Sequence, residues 1–171
     1  TLFLLKQNMA TFLFEDIIVG PIQSRRMGLS LGVNLLPLKH KFCNFNCIYC
    51  ECGLNQPFAG TIEQELPSRA QVAESLSLTL QTMPQKPNAI TFAGNGEPTI
   101  HPNFAQIIDD VIELRNAYSP QSEIVVLTNA TQLFKPEIVT ALQKVDRCMC
   151  KLDSAIPETI AAINQPANEN F

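Results

Sequence analysis

The chain has 171 residues and a formal net charge of -4, with 46% hydrophobic and 16% charged residues. This length corresponds to one domain or the larger part of one. The low charged fraction favours buried strands over a disordered or coiled-coil chain, and the acidic balance gives no global electrostatic reason for nucleic-acid binding. No apolar run approaches the length of a membrane span.

Segments typical of strands and helices alternate along the chain after Gly20. Apolar composition predicts four strands, over residues 29–36, 89–93, 123–129 and 147–153. A helix is predicted after each strand, and the first opens at Ser68 because Gln71 completes a capping box. The second helix carries an apolar stripe at positions 104, 107, 108, 111 and 112. The third starts at Pro136, and "PETIAAIN" begins the fourth.

Four β–α units in succession predict a parallel sheet covered by helices, and the pattern leaves both a doubly wound sheet and a barrel open. Four polar segments, "CNFNCIYCEC", "GNGEPT", "TNAT" and "KLDSA", each follow the apolar part of a predicted strand. Parallel α/β folds place their chemistry at the carboxyl ends of the strands. We therefore expect a functional site where these four segments meet.

The segment "KFCNFNCIYCECG" carries the strongest chemical signal. Cys43, Cys47 and Cys50 follow the spacing CxxxCxxC, and Cys52 comes two residues later. Clustered thiols indicate metal binding in a reducing, intracellular compartment, so we expect a cytoplasmic protein. Three thiolates leave one iron of a four-iron cluster open, whereas four thiolates could close a structural zinc site. Structural zinc usually takes CxxC pairs from two separate loops, which favours the cluster.

This segment, with Tyr49 just before the last cysteine of the motif, resembles the radical S-adenosylmethionine (radical SAM) superfamily. The stretches "GPIQSRRMGLSLGVNLLP", "AGNGEPTIHP", "TNAT" and "KLDSAIPETIAAINQP" resemble one branch of it, the wyosine-synthetase-related iron–sulfur oxidoreductases, across residues 18–166. The resemblance implies an α/β fold: a partial (β/α) TIM-like barrel, apparently truncated after about four β–α units. Residues 1–17 would then be an N-terminal extension and residues 18–171 an incomplete radical SAM core.

The resemblance also implies a cofactor site. A 4Fe-4S cluster would bind Cys43, Cys47 and Cys50, and its open iron would bind S-adenosyl-L-methionine. The implied cofactor contacts are Tyr49, Gly94, Gly96, Glu97, Asn129 and Asp153. Tyr49 would line the adenine site, and Glu97 of "GNGE", which is similar to the superfamily's Gly-Gly-Glu motif, would accept from the methionine ammonium.

Structural roles compete with several of these assignments. Tyr49 suits a core aromatic, and Asn129 suits a turn. Asp153 suits a helix N-cap or an internal ion pair with Lys151, which strand alternation places on the same side. For Cys52 we expect a small residue packed behind the loop rather than a ligand.

The implied function is that of an enzyme, a radical SAM oxidoreductase or modifying enzyme. Its partner would be an electron donor such as flavodoxin or ferredoxin, and RNA base modification is the substrate class that the branch suggests. A glycyl-radical activase and a non-catalytic iron–sulfur or zinc module are the alternatives. Because the later strands of a full barrel are missing, we expect the fourth predicted strand to be an exposed edge. We also expect the isolated chain to bind a cluster poorly and to turn over little.

Overall fold

The computed structural model describes residues 12–55 and 64–167, which form one five-stranded sheet and four α-helices. The strands are β1 (Ile18–Ser24), β2 (Gly28–Val33), β3 (Ala89–Phe92), β4 (Glu123–Thr128) and β5 (Arg147–Cys150). The helices are α1 (Arg69–Thr82), α2 (Phe104–Tyr118), α3 (Pro136–Leu142) and α4 (Pro157–Asn164), and a 3-10 helix, Pro98–Ile100, precedes α2. The predicted α/β class is confirmed, and the sheet does not close into a barrel. No helix in the described ranges is long and apolar enough to cross a membrane.

The strands lie side by side in chain order, and β2 to β5 are parallel as predicted. β1, which was not predicted, runs antiparallel to β2 at one edge of the sheet. The sequence hides this strand because Gly20 and Pro21 interrupt it, and its register shifts between Val19 and Ile22. A proline cannot donate to a strand ladder, so an edge strand with an irregular register is where it can be accommodated.

One apolar core lies between the sheet and helices α1, α2 and α3. Alternate strand residues supply one side of it: Leu31, Val33, Ile90, Phe92, Ile124 and Val126. The predicted helix faces supply the other side: Val72, Leu76, Leu80, Phe104, Ile107, Ile108, Val111, Ile138, Ala141 and Leu142. The capping box of α1 is confirmed, since Ser68 Oγ accepts from the Gln71 N–H and the Gln71 side chain accepts from the Ser68 N–H.

Two strands end three residues earlier than predicted, and the other two end one residue earlier. β2 stops at Val33 because the Asn34 side chain, which is fully buried, bonds to both backbone groups of Leu36 and turns the chain. β5 stops at Cys150, opposite the last residue of β4. β5 is the other edge of the described sheet, and its cysteines are exposed, as the prediction of an uncovered edge requires.

Candidate cofactor site

A cavity of about 210 Å³ lies at the carboxyl ends of the parallel strands, where the sequence predicts a site. The cysteine segment, the "GNGE" loop, the end of β4 and the residue after β5 all border it. Every predicted site residue except Asp153 lines this cavity. Asp153 lies just outside and hydrogen-bonds to two lining residues, Tyr49 and Lys151. The structure therefore brings the four polar segments together.

Short backbone turns aim the cysteines at the cavity. The Cys50 N–H donates to the Cys47 carbonyl at 3.0 Å, and the Gly53 N–H donates to the Cys50 carbonyl at 3.0 Å. Asn55 fixes the start of the motif, because its side chain accepts from the Cys43 N–H at 3.1 Å and donates to the Cys43 carbonyl at 2.6 Å. One turn therefore covers Cys47 to Cys50, the last part of the motif, a second follows from Cys50 to Gly53, and all three cysteines of the motif line the cavity.

The thiols differ in their electrostatic state. Burial raises the pKa of Cys43 to about 11. A hydrogen bond from Cys52 lowers the pKa of Cys50 to about 5, and the same bond raises the pKa of Cys52 above its ordinary value. Cys52 lines the cavity, where its thiol lies 3.7 Å from the Gly94 carbonyl, so the expectation that it packs behind the loop is wrong.

The donor set fits a cluster better than a single ion. Within residues 12–55 and 64–167, no group of three or more His, Cys, Asp or Glu side chains could hold one metal ion. In a 4Fe-4S cluster each thiolate binds a different iron, so the sulfur atoms need to border a cavity rather than meet at one point. Cys43, Cys47 and Cys50 border such a cavity. A structural zinc site would instead need four ligands around one ion.

Glu97 is 2% exposed, and its carboxylate is bound by its own chain. Its Oε1 accepts from the Thr99 N–H at 3.1 Å and from the hydroxyls of Thr99 at 2.5 Å and Thr128 at 2.6 Å. Its Oε2 accepts from the Asn129 N–H at 2.6 Å. These bonds cap the 3-10 helix and tie it to the end of β4. The orientation of the carboxylate is therefore fixed before any ligand binds.

The two glycines of "GNGE" are required by packing. A Cβ on Gly94 would lie 2.1 Å from Asn34 Oδ1. Gly96 has a φ of +148°, and a Cβ there would lie 1.8 Å from the Phe42 carbonyl oxygen. Both glycines also line the cavity. The backbone of this loop needs glycine at both positions whether or not a ligand approaches it.

Three polar side chains gather around Asp153 at the side of the cavity. Its Oδ2 accepts from Lys151 Nζ at 2.6 Å, from the Tyr49 hydroxyl at 2.5 Å and from the Asn164 amide. These bonds, that of Lys151 first, lower the pKa of Asp153 to about 2, while burial and the Asp153 bond raise the pKa of Tyr49 to about 12. The ion pair between Lys151 and Asp153 is confirmed. The N-cap alternative is wrong because Ile156 occupies that position, and the core alternative is wrong because Tyr49 is 51% exposed.

Asn129 forms a turn and also faces a predicted cluster ligand. Its Oδ1 accepts from the Thr131 N–H at 3.1 Å and from the Thr131 hydroxyl at 2.7 Å, which confirms the turn after β4. Its Nδ2 donates to Asn44 Oδ1 at 2.7 Å and lies 3.8 Å from Cys43 Sγ. The turn therefore places the amide beside the first cysteine of the motif.

Two residues at the site were not predicted from the sequence. Lys41 lines the cavity although it is only 4% exposed, and its position two residues before Cys43 was the one available signal. Asn164, the last residue of α4, is 2% exposed and donates to Cys47 Sγ at 3.4 Å. Nothing in the local pattern marks Asn164, because its role depends on the packing of α4 against the cysteine segment.

Comparisons with known proteins show the family to which the chain belongs. Residues 39–170 match the Radical SAM superfamily. A UPF0026 protein of Helicobacter pylori is 29% identical over 91% of this chain and 48% of its own length. A UPF0026 protein of Synechocystis is 32% identical over 87% of this chain and 52% of its own length. A UPF0026 protein of Methanocaldococcus jannaschii is 31% identical over 88% of this chain and 44% of its own length. The chain thus spans about half the length of these curated relatives. No solved structure matches the chain significantly.

Four parallel strands whose carboxyl rim carries the three CxxxCxxC cysteines define the class, an α/β domain with a cavity that fits an iron–sulfur cofactor. The chain belongs to the radical SAM superfamily, which implies a 4Fe-4S cluster and S-adenosylmethionine as cofactors. Enzymes of this superfamily take electrons from donors such as flavodoxin or ferredoxin. The wyosine-synthetase-related branch stays a prediction.

Proposed function

We propose that the chain is the cofactor-binding part of a radical SAM enzyme of the wyosine-synthetase-related branch, with Cys43, Cys47 and Cys50 as ligands of a 4Fe-4S cluster. When bound, the cluster supplies one electron that splits S-adenosylmethionine into methionine and a 5′-deoxyadenosyl radical, which abstracts hydrogen from a substrate. The observation that carries the proposal is the convergence of the three cysteines, the "GNGE" loop and the ends of β4 and β5 on one cavity.

Glu97 suits the role of acceptor for the methionine ammonium. A carboxylate has about four lone-pair positions, two on each oxygen. Three donors converge on Oε1, but within the described residues Oε2 accepts from Asn129 only. Oε2 therefore keeps acceptor capacity at the cavity wall, and a charge-assisted bond to an ammonium would use it.

Tyr49 suits the adenine contact. Its hydroxyl is held by Asp153 at 2.5 Å, which fixes the orientation of the ring, and the side chain is 51% exposed. A fixed and accessible aromatic face is what stacking on a nucleobase requires. Phe45 and Leu127 provide apolar lining near the cysteines and help to exclude water from the site.

For the substrate we propose an RNA base, on the resemblance to the branch alone. The net charge of -4 gives this chain no global electrostatic attraction for a polyanion. This part of the proposal is therefore tested apart from the cofactor chemistry, by measuring 5′-deoxyadenosine release with and without added transfer RNA. Release that transfer RNA leaves unchanged would contradict the RNA assignment and leave the cofactor assignment standing.

Anaerobic reconstitution of the intact protein tests the cofactor assignment. We expect iron and sulfide in a near 4:4 ratio, a change in the electron paramagnetic resonance (EPR) spectrum when S-adenosylmethionine is added, and 5′-deoxyadenosine once a reductant is present. Serine in place of Cys47 should abolish cluster binding, whereas serine in place of Cys52 is the matched control and should retain it. A cluster that needs Cys52 and ignores S-adenosylmethionine, or zinc in place of iron, would overturn the proposal.

A further inference from the structure

Lys41 is a buried cation with no acidic partner in the described part of the chain. Its side chain is 4% exposed, and its ammonium donates to the Gly53 carbonyl at 2.9 Å. None of the ion pairs among residues 12–55 and 64–167 includes Lys41. Burying an ammonium without a countercharge is costly. Its position therefore indicates that the working site contains a negative charge beside it.

Lys41 shares the cavity wall with Cys43, Cys47 and Cys50, which carry negative charge as thiolates when they bind a cluster. The Lys41 ammonium lines the same cavity as Cys43 and Cys50, and its charge lowers the pKa of both thiols. The carboxylate of Glu97 in the same cavity is bound by donors of its own chain instead. The bond to Gly53 places the Lys41 ammonium on the turn that carries Cys50.

We propose that Lys41 is a positioning residue that raises the reduction potential of the cluster, by placing a fixed positive charge at the turn that carries Cys50. The inference rests on the proposed function. The negative charge of three thiolates exceeds the positive charge of the oxidised iron–sulfide core, so the site with its cluster bound is anionic. On reduction, the electron taken from the donor adds one further negative charge. A nearby cation stabilises the reduced form more than the oxidised form. Hydrogen bonds to the sulfurs and net charge are known determinants of cluster potential.

The test is an anaerobic redox titration of the intact protein, followed by EPR in the absence of S-adenosylmethionine. We expect K41M and K41Q to lower the ratio of reduced to oxidised cluster at a fixed potential about tenfold, which for a one-electron couple is a shift of about 59 mV to more negative values. K41R keeps the charge and should stay near the wild type. K39M removes the same charge from an exposed position two residues away and should change the ratio much less. Iron and sulfide analysis corrects for cluster occupancy.

Each outcome decides the question. Neutral variants with the wild-type potential overturn the inference, and so does an unchanged potential combined with weaker S-adenosylmethionine binding, which would assign Lys41 to the carboxylate of that cofactor. Loss of the cluster in K41M and K41Q but not in K41R would show that the charge is needed to hold the cluster, and it would overturn a role confined to the potential. Loss in all three overturns it in favour of packing. A wild-type protein that binds no cluster overturns the proposed function itself, which is a distinct result.

Discussion

Replacing Asn95 by alanine tests whether the "GNGE" loop holds the fold together as well as bordering the cavity. Asn95 is fully buried. Its Oδ1 accepts from the Phe14 N–H at 2.8 Å, and its Nδ2 donates to the carbonyls of Phe14 at 2.9 Å and Pro37 at 2.8 Å. These bonds connect the loop after β3 to the segment before β1 and to the segment that leads into the cysteines. Truncation at Cβ removes all three.

The expected loss of stability follows from what each bond leaves behind. The two backbone groups of Phe14 are part-buried, and losing a partner there costs about 1 kcal/mol each. Pro37 is buried, so its unpaired carbonyl costs up to ~3 kcal/mol. The free energy of unfolding should therefore fall by about 3–5 kcal/mol. At about 2–4 °C per kcal/mol for a chain of this size, Tm should fall by about 10 °C.

Thermal and urea unfolding of N95A beside N116A provides the assay. Asn116 is exposed on α2, so its replacement by alanine controls for the chemical change and should alter stability by less than about 0.5 kcal/mol. If N95A melts within about 2 °C of the wild type, the three bonds contribute nothing net and the reasoning is refuted. Cluster content measured well below Tm should match the wild type, because none of the lost bonds involves a cysteine.

Three further perturbations test separate features. Replacing Gly96 by alanine should destabilise the fold by more than about 3 kcal/mol, because the new Cβ meets the backbone, whereas G32A meets its neighbours at ordinary contact distance and should unfold much closer to the wild type in urea. S68A removes the capping box of α1 and should cost about 1 kcal/mol in the same assay, and no measurable loss would contradict the capping role. Burial lowers the pKa of His101 below 6.5, so the unfolded chain takes up the proton first. The contribution of neutral His101 to the free energy of unfolding should be fully present above about pH 6.5 and should decrease as the pH falls toward the pKa of the folded protein. An H101Q variant whose stability falls equally steeply with pH would contradict this.

The order of strands and helices was predictable, because the helices bury a stripe and the central strands are apolar throughout. What escaped prediction depends on contacts distant in sequence. β1 contains Pro21 and pairs only through its antiparallel register with β2. The end of β2 is set by the bonds from Asn34 to Leu36, which a run of apolar residues conceals. The periodicity of apolar residues predicts which positions are buried. It does not predict where a single buried polar side chain ends a strand.

The part of the candidate site formed by residues close in sequence was predictable, and the part formed by residues that folding brings together was not. The cysteine spacing and the polar segments after each strand indicated the cavity wall before any fold was known. Lys41 and Asn164 were missed because only their hydrogen bonds in the folded chain, to the Gly53 carbonyl and to the sulfur of Cys47, identify them as residues of the site. A lysine or asparagine in a polar segment is ordinary, and only burial of its charge or amide distinguishes it.

The two carboxylates at the site show how a structural role and a binding role can coexist in one side chain. Asp153 gathers three donors on Oδ2, and within the described residues none reaches its Oδ1. Glu97 gathers three on Oε1 and one on Oε2. In each case one oxygen is largely taken up by the fold, and the other keeps acceptor capacity in a fixed orientation. Preorganised acceptors of this kind bind a ligand without the entropic cost of ordering them. Internal hydrogen bonds at these carboxylates therefore support the proposed contacts with the cofactor instead of competing with them.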